Sequence, residues 1–233
     1  MIELVRGRLD TPQLIWLAGY PLLFFYILAC LLSALNDRSI DQGSTFKLLA
    51  LGTGLFLVDQ VVKTWVSGTL PYGSSQPLLH SWLHLAHERN LAGSWILETL
   101  GLEGPDLALA LVMFLVMPGL LLSGLVHRYY SHVFRLSFWA DIAFCFLFAG
   151  MASFLVDMLL RGYILDYIGL PGLVAADLKD IYLTIGSSAM IVEVLDNPKI
   201  LLEWRGWRAE WAALKKGARN LYEFGKADLR RLM

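Results

Sequence analysis

Several apolar stretches in this chain are long enough to cross a lipid bilayer, and they limit its possible folds more than any other feature. A spanning helix needs about 20 mostly apolar residues. Four stretches meet this length and a fifth is shorter. The predicted spans cover approximately residues 14–35, 48–66, 107–126, 138–160 and 181–195. The sequence therefore predicts an all-α integral membrane protein with about five transmembrane helices.

The composition agrees with a membrane protein. Hydrophobic residues make up 57% of the chain and charged residues 17%, whereas a soluble domain carries about 25% charged residues. The 19 basic and 20 acidic residues nearly cancel, so no overall charge favours nucleic acid as a partner. Cys30 and Cys145 both lie in apolar runs, which argues against a disulfide framework. An ordinary soluble enzyme and a disordered protein are therefore excluded.

The positions of Lys and Arg between the spans predict the orientation, because cytoplasmic connections carry an excess of these residues. The tail after Pro198 contains nine basic residues, whereas the connection 67–106 contains only Arg89 beside four acids. The tail and the connection 127–137 are therefore predicted to be cytoplasmic. The segments 67–106 and 161–179 are predicted to face outside, and with five spans the N-terminus does so too.

The chain divides into three predicted parts. Residues 1–40 form an additional N-terminal transmembrane helix, and residues 41–197 form a four-helix membrane domain. In residues 198–233, Trp and Leu alternate with basic residues at helical spacing. This pattern predicts an amphipathic helix on the inner leaflet, held by membrane lipids.

A period-two alternation of apolar and polar residues around 79–86 predicts a strand, within a small extracytoplasmic β-cradle of about residues 77–95. The same segment contains His80, His84 and His87, which would share one face of a helix and could there bind zinc. In a strand His84 and His87 face opposite ways. No metal and no cofactor is therefore predicted.

Ionisable residues gather at the predicted outer ends of the spans, where such groups are costly and usually functional. The set comprises Asp59, Lys63, Asp157, Asp166, Asp177 and Asp180. Asp59 and Lys63 alone, four residues apart on a helix, could simply pair and extend to the surface. Two carboxyl groups within a few Å share one proton, so one can activate water while the other protonates the substrate. The cluster therefore predicts hydrolysis by a pair of acids.

Four segments resemble, in order, the motifs of signal peptidase II, the lipoprotein signal peptidase family. The segment VDQVVK at 58–63 resembles the family's DQxxK motif, and HERNLAGSW at 87–95 resembles its Asn-Gly-Ala-rich motif. The segment DMLLRGYILDY at 157–167 is similar to its DRxxxGxVVDF block, and DLKD at 177–180 is similar to its NxAD block. The resemblance covers roughly residues 48–195.

The resemblance implies an intramembrane aspartyl endopeptidase with Asp166 and Asp180 as its catalytic residues. The substrate would be a prolipoprotein whose lipobox cysteine carries diacylglycerol, cut just before that cysteine at the outer face of the bacterial inner membrane. Asp59 and Lys63 match the pair that braces the first helix of the family. The implied substrate-binding set as a whole is Asn90, Asp59, Lys63, Asp157, Asp177 and Arg161.

The last block can be aligned in two ways, because Ala176–Asp177 is itself an Ala-Asp pair. Alignment on Asp180 is favoured, since Gly186 then falls at the expected distance. In that alignment Asp177 and Lys179 replace the family's asparagine and alanine.

Two further departures lie in the DRxxxG block. Phe154 occupies a position where the family has asparagine, and Met158 replaces its arginine, for which Arg161 could substitute one turn later. A catalytically inactive or re-specialised paralogue that binds lipidated proteins or a membrane partner is therefore an alternative. A small transporter that uses intramembrane acids is a weaker alternative, because most of the acids cluster on one side of the membrane.

Overall fold

The structure is a computed structural model that describes residues 45–79, 83–91, 112–133, 137–169, 175–196 and 207–232. These residues are mostly helical, with one small antiparallel sheet. The predicted N-terminal helix of residues 1–40 lies outside the described residues. The connection between the predicted second and third spans is described only as far as residue 91.

Five helices make up most of the described chain. They are α1 (Thr45–Thr69), α2 (Met117–Val133), α3 (Phe138–Val156), α4 (Leu178–Asp196) and α5 (Trp207–Leu232). A π-helical turn, Val112–Val116, precedes α2, and another, Asp157–Arg161, continues α3.

Two helices in the described part of the chain, Thr45–Thr69 and Phe138–Arg161, have the length and composition needed to cross a membrane. They coincide with the second and fourth predicted spans. The helices α2 and α4 overlap the third and fifth predicted spans, and their crossing of the bilayer stays a prediction.

The central helix α3 packs closely against α4 because glycines lie at their contacts. A Cβ atom added at Gly150 would lie 2.7 Å from the side chain of Leu183, and one added at Gly186 would lie 2.9 Å from the backbone nitrogen of Leu147. Both separations are shorter than any ordinary carbon contact. Because glycine has no Cβ atom, the two helices can approach closely at these positions, and the start of α4 lies beside the end of α3.

The sheet lies at the end of the bundle where α1 and α3 finish. Its antiparallel strands, in the order β1-β2-β3-β4, are β1 (Ser75–Leu79), β2 (Leu83–Asn90), β3 (Ile164–Gly169) and β4 (Ala175–Ala176). The strand predicted around residues 79–86 is confirmed from Leu83 onward, within β2. Its first residue, Leu79, instead ends β1 and pairs with Leu83. The alternation did not reveal β3, whose apolar residues are buried on both faces instead of alternating with polar ones.

The histidines of the predicted cradle are separated as the strand pattern requires. His87 is buried, and its Nδ1 atom donates a hydrogen bond to the carbonyl oxygen of Leu70 at 2.7 Å. His84 is only partly buried, and His80 lies outside the described residues. His87 therefore ties β2 to the end of α1.

The C-terminal helix α5 confirms that the tail is helical. It packs on α2, where the rings of Phe224 and Tyr129 lie 5.7 Å apart and a Cβ atom at Gly225 would approach Leu125 to 3.2 Å. Lys215, Lys216, Arg219, Lys226 and Arg230 are exposed along it. Its contact with the inner leaflet stays a prediction.

Candidate active site

Lys63 lies at the centre of a buried ion-pair cluster beneath the sheet. Its Nζ atom is 2.8 Å from Asp59 Oδ2, 2.5 Å from Asp157 Oδ2 and 2.6 Å from Asp177 Oδ2. All four side chains are 0% exposed. The interpretation that Asp59 and Lys63 merely pair and extend to the surface is therefore wrong: one ammonium group joins carboxylates from α1, the end of α3 and the start of α4.

Neutral side chains complete the hydrogen bonding of Asp59. The hydroxyl of Ser153, on α3, donates to Asp59 Oδ2, and the hydroxyl of Tyr167, on β3, donates to Asp59 Oδ1 at 3.0 Å. Tyr167 also accepts a hydrogen bond from the backbone nitrogen of Leu178 at 3.2 Å. Asp59 thus fixes the strand that carries Asp166, while Tyr167 fixes the first turn of α4.

The π-helical turn after α3 determines where Asp157 and Arg161 point. The Nη1 atom of Arg161 donates to Asp157 Oδ1 at 2.6 Å and to Gln60 Oε1 at 2.8 Å. Gly162 then ends the turn with φ of 71°, a left-handed conformation that glycine adopts without strain. The chain can therefore reverse directly into β3.

Asp166 occupies a nearly closed position on β3, where it is 6% exposed. Its Oδ2 atom accepts a hydrogen bond from Asn90 Nδ2 at 3.4 Å. Within the part of the chain that the structure describes, no donor reaches its Oδ1 atom. Burial and the negative charges of Asp177 and Asp180 raise the pKa of Asp166 to about 7, although Lys179 and Asn90 act in the opposite direction. Asp166 therefore keeps its proton to a higher pH than an ordinary aspartate does.

Asp180 lies in the first turn of α4 and is far more accessible, with 47% of its side chain exposed. Its Oδ1 atom is 2.7 Å from Lys179 Nζ, and its Oδ2 atom accepts a hydrogen bond from the backbone nitrogen of Asp177 at 3.3 Å. In return, Asp177 Oδ1 accepts from the backbone nitrogen of Asp180 at 3.1 Å. The carboxyl group of Asp180 is therefore partly exposed, whereas that of Asp177 is buried and caps the first turn of α4.

The structure brings three of these acids together. One carboxylate oxygen from each of Asp166, Asp177 and Asp180 lies within 4.8 Å of the other two. A water molecule that donates to two oxygens spans about this distance, given hydrogen bonds of about 2.8 Å. Asp177 already pairs with Lys63 and with Lys179, so ammonium groups provide the positive charge that a metal ion would bring. Asp166 and Asp180 are thus the two acids of this group that do not contact Lys63, and their oxygens lie no farther apart than a bridging water molecule reaches.

The predicted substrate-binding residues fall into two groups. Asn90 lies at the end of β2 beside Asp166 and is only partly buried. Asp59, Lys63, Asp157 and Asp177 have no exposed side-chain surface, and Arg161 is 18% exposed. The buried group connects α1, the end of α3, the start of α4 and, through Tyr167, β3, whereas Asn90 lies next to the acid pair.

Several polar partners of the cluster were not identified from the sequence. Ser153 lies one helical turn before Asp157, and Gln60 follows Asp59, so adjacency to predicted acids could have drawn attention to both. Tyr167 directly follows Asp166. Lys179 was recognised only as a departure from the NxAD block, although a lysine between two acids is itself a sign of an ion pair.

The two departures in the DRxxxG block lie together in space. Met158 is 5% exposed and packs against Ile164, with Phe154 and Leu155 around them. An apolar cluster therefore supports β3 at the positions where the family pattern has asparagine and arginine. Arg161 supplies a guanidinium to Asp157 from the next turn.

Fold and site together define a mostly helical membrane protein with two close carboxyl groups beside a small sheet. The sequence profile of signal peptidase (SPase) II matches residues 51–196. This chain belongs to the signal peptidase II family.

Relatives and solved structures agree with this assignment. The lipoprotein signal peptidase of Fusobacterium nucleatum subsp. nucleatum is 25% identical over 158 residues, which cover 66% of this chain and 90% of that protein. The lipoprotein signal peptidase of Staphylococcus carnosus is 23% identical over 120 residues, which cover 52% and 69%.

Two solved structures, each described as a bacterial membrane enzyme determined by the in meso method, have the same fold. The one at 2.3 Å resolution has a TM-score of 0.52 and 18% identity, covering 69% of this chain and 94% of that chain. The one at 1.9 Å has a TM-score of 0.50 and 19% identity, covering 68% and 94%.

Proposed function

We propose that this chain is an aspartic endopeptidase that removes the signal peptide from diacylglyceryl-modified prolipoproteins, cutting before the lipobox cysteine. The observation that carries the proposal is the approach of one Asp166 oxygen to one Asp180 oxygen within 4.8 Å. Membership of the signal peptidase II family and the names of the relatives support the substrate class.

The chemistry requires one ionised and one protonated carboxyl group. The ionised group takes a proton from a water molecule as the water oxygen bonds to the scissile carbonyl carbon, and the protonated group gives its proton to the carbonyl oxygen. When the tetrahedral intermediate collapses, the carbon–nitrogen bond breaks and the first group protonates the leaving nitrogen. The second group recovers its proton from the intermediate, so the pair returns to its starting state.

The buried ion-pair cluster would act by positioning the acid pair. It connects α1, α3, β3 and α4 through Lys63 and Asp59, and holding reacting groups in place lowers the barrier by avoiding their reorganisation. Asn90 would contact both Asp166 and the substrate backbone. Asp157, Asp177 and Arg161 would influence substrate binding through the shape of this region.

The proposed topology places the acid pair at the outer face of the bacterial cytoplasmic membrane. The excess of basic residues in the tail and its near absence from residues 67–106 support this orientation. α5 would lie at the inner leaflet with its lysines and arginines near anionic headgroups.

The test is cleavage of a purified, diacylglyceryl-modified lipopeptide by the full chain in detergent micelles, with products identified by mass spectrometry. Asp166→Asn and Asp180→Asn are each expected to abolish cleavage. Asp196→Asn is the matched control, because it makes the same chemical change at the exposed far end of α4. Undiminished cleavage by either pair variant would overturn the proposal. A peptide without the diacylglyceryl group is expected to remain uncut.

The alternative is a family member that binds lipidated proteins without cutting them, and the apolar cluster around Met158 favours it. Binding of the lipopeptide by the wild-type chain, measured by fluorescence anisotropy, without cleavage over long incubation would support this alternative. Restoring the family pattern with Phe154→Asn and Met158→Arg would then be expected to produce cleavage.

A further inference from the structure

Lys179 lies between two acids at the start of α4, in a position that the NxAD pattern assigns to alanine. Its Nζ atom is 2.7 Å from Asp180 Oδ1 and 3.2 Å from Asp177 Oδ1, and its side chain is 5% exposed. Burying an ammonium group is costly unless it is paired. The buried Lys179 therefore needs its acidic partners, and its positive charge in turn stabilises the ionised form of Asp180.

We propose that Lys179 is a positioning residue that divides the roles of the acid pair: it keeps Asp180 ionised as the base that activates water, and so leaves the shared proton on Asp166. This inference rests on the proposed function for the reaction itself. The distribution of charge that it describes is a property of the folded chain, with or without substrate.

Asp180 accepts more hydrogen bonds from strong donors than Asp166 does, as the proposed division of roles requires. Asp180 receives the ammonium group of Lys179 and a backbone N–H, both of which favour a carboxylate. Asp166 receives one amide hydrogen from Asn90 at 3.4 Å, and its Oδ1 atom has no donor among the described residues. Burial raises the pKa of both acids, but for Asp180 the charge and hydrogen bond of Lys179 act to lower it. The pKa of Asp166 is raised to about 7, which agrees with a proton held on this residue.

The surrounding charges do not cancel this asymmetry. From α1, Lys63 contacts Asp59, Asp157 and Asp177, and from the end of α3, Arg161 pairs with Asp157. The remaining groups around the pair are the shared Asp177, the neutral Tyr167 on β3, and Asn90 with the exposed Glu88 on β2, which lies opposite Asp166 in the strand register. Among the described residues, Lys179 is therefore the cation that contacts Asp180, and it contacts Asp177 as well.

The roles then follow atom by atom. Asp180 removes a proton from water as the new carbon–oxygen bond forms, and Asp166 donates its proton to the carbonyl oxygen. On collapse, Asp180 delivers its proton to the leaving nitrogen as the carbon–nitrogen bond breaks. Asp166 takes a proton from a hydroxyl of the intermediate, and a carboxylic acid is released.

The test compares the pH dependence of lipopeptide cleavage, as kcat/KM, for the wild-type chain, Lys179→Met and Lys179→Arg. An opposite charge within about 4 to 6 Å lowers the pKa of an acid by about 1–3 units. Lys179→Met should therefore move the acidic limb of the profile to higher pH by about 1–3 units. Lys179→Arg should keep it near the wild-type position, as should Lys47→Met, which removes an exposed lysine from α1.

Two results would overturn the inference: an acidic limb that Lys179→Met does not move, or one that Lys179→Arg moves equally. A second measurement does not depend on activity or on a fully stable variant. Infrared titration of chains with ¹³C-labelled aspartate can follow the carboxyl band that disappears in Asp180→Asn. That band should titrate at higher pH in Lys179→Met, and an unchanged titration contradicts the inference.

The two measurements separate the two proposals. If the wild-type chain fails to cleave the lipopeptide, the proposed function fails, and the infrared titration still decides the effect of Lys179. If cleavage occurs but neither the profile nor the titration responds to Lys179→Met, only the inference fails.

Discussion

Replacing Lys63 with methionine tests whether the buried ion-pair cluster holds the fold together. The change removes the only ammonium group that contacts Asp59, Asp157 and Asp177 at once in the described chain, at distances of 2.8, 2.5 and 2.6 Å. Breaking a buried ion pair by removing one partner costs about 3–5 kcal/mol. Because three carboxylates lose a partner here, the upper part of that range is expected.

The measurement is thermal unfolding in detergent, followed by tryptophan fluorescence. For a chain of this length each kcal/mol shifts Tm by about 2–4 °C, so a loss of about 4–5 kcal/mol in Lys63→Met should lower Tm by about 8–20 °C. The control is Lys47→Met, an exposed lysine on the same helix, for which a change within about 0.5 kcal/mol is expected. Adding Asp157→Asn to Lys63→Met should recover part of the loss, because one uncompensated charge is removed. A Tm for Lys63→Met within about 2 °C of wild type would refute the reasoning.

Three further predictions concern the pair and its supports. The pKa of Asp166 is raised from 3.8 to about 7, so between these pH values the folded form keeps a proton that the unfolded form releases. Stability should therefore fall as pH rises through this window. Asp166→Asn should remove this fall from a plot of Tm against pH. Gly186→Ala should lower stability by about 1–3 kcal/mol in thermal unfolding because its Cβ would meet the backbone of α3, whereas Gly54→Ala, with nothing within 4 Å, should not. Tyr167→Phe should cost about 1–3 kcal/mol in the same assay, because the buried Oδ1 atom of Asp59 loses the hydroxyl that donates to it.

The sequence predicted those features that depend on local pattern. Alternation identified β2, apolar length identified α1 and α3, and the helical spacing of apolar and basic residues identified the helix in the tail. The gathering of acids at one end also followed from sequence, since Asp59 and Asp157 end their apolar stretches on the same predicted side. The pattern of spans predicted that Asp166 and Asp180 lie at the same end of the bundle. The structure places one oxygen of each within 4.8 Å of the other.

Features that depend on the packing of distant segments could not be predicted from local sequence pattern. Asp59 and Lys63 appear in the sequence as a simple pair one helical turn apart, and only the close approach of α3 and α4 adds Asp157 and Asp177. β3 has no alternating pattern because both of its faces are covered. The π-helical turn at Asp157–Arg161 continues α3 with no proline or glycine to mark the change, so its different hydrogen bonding is not visible in the sequence.

The pairing within each apolar segment also bears on how the chain enters the bilayer during synthesis. Asp59 and Lys63 are one helical turn apart at 2.8 Å, and so are Asp157 and Arg161 at 2.6 Å. A lone ionised group in the hydrocarbon core costs several kcal/mol. Each of these two segments contains its own counter-ion, which lowers the cost of inserting it alone. The contacts of Lys63 with Asp157 and Asp177 can form only when the helices pack together.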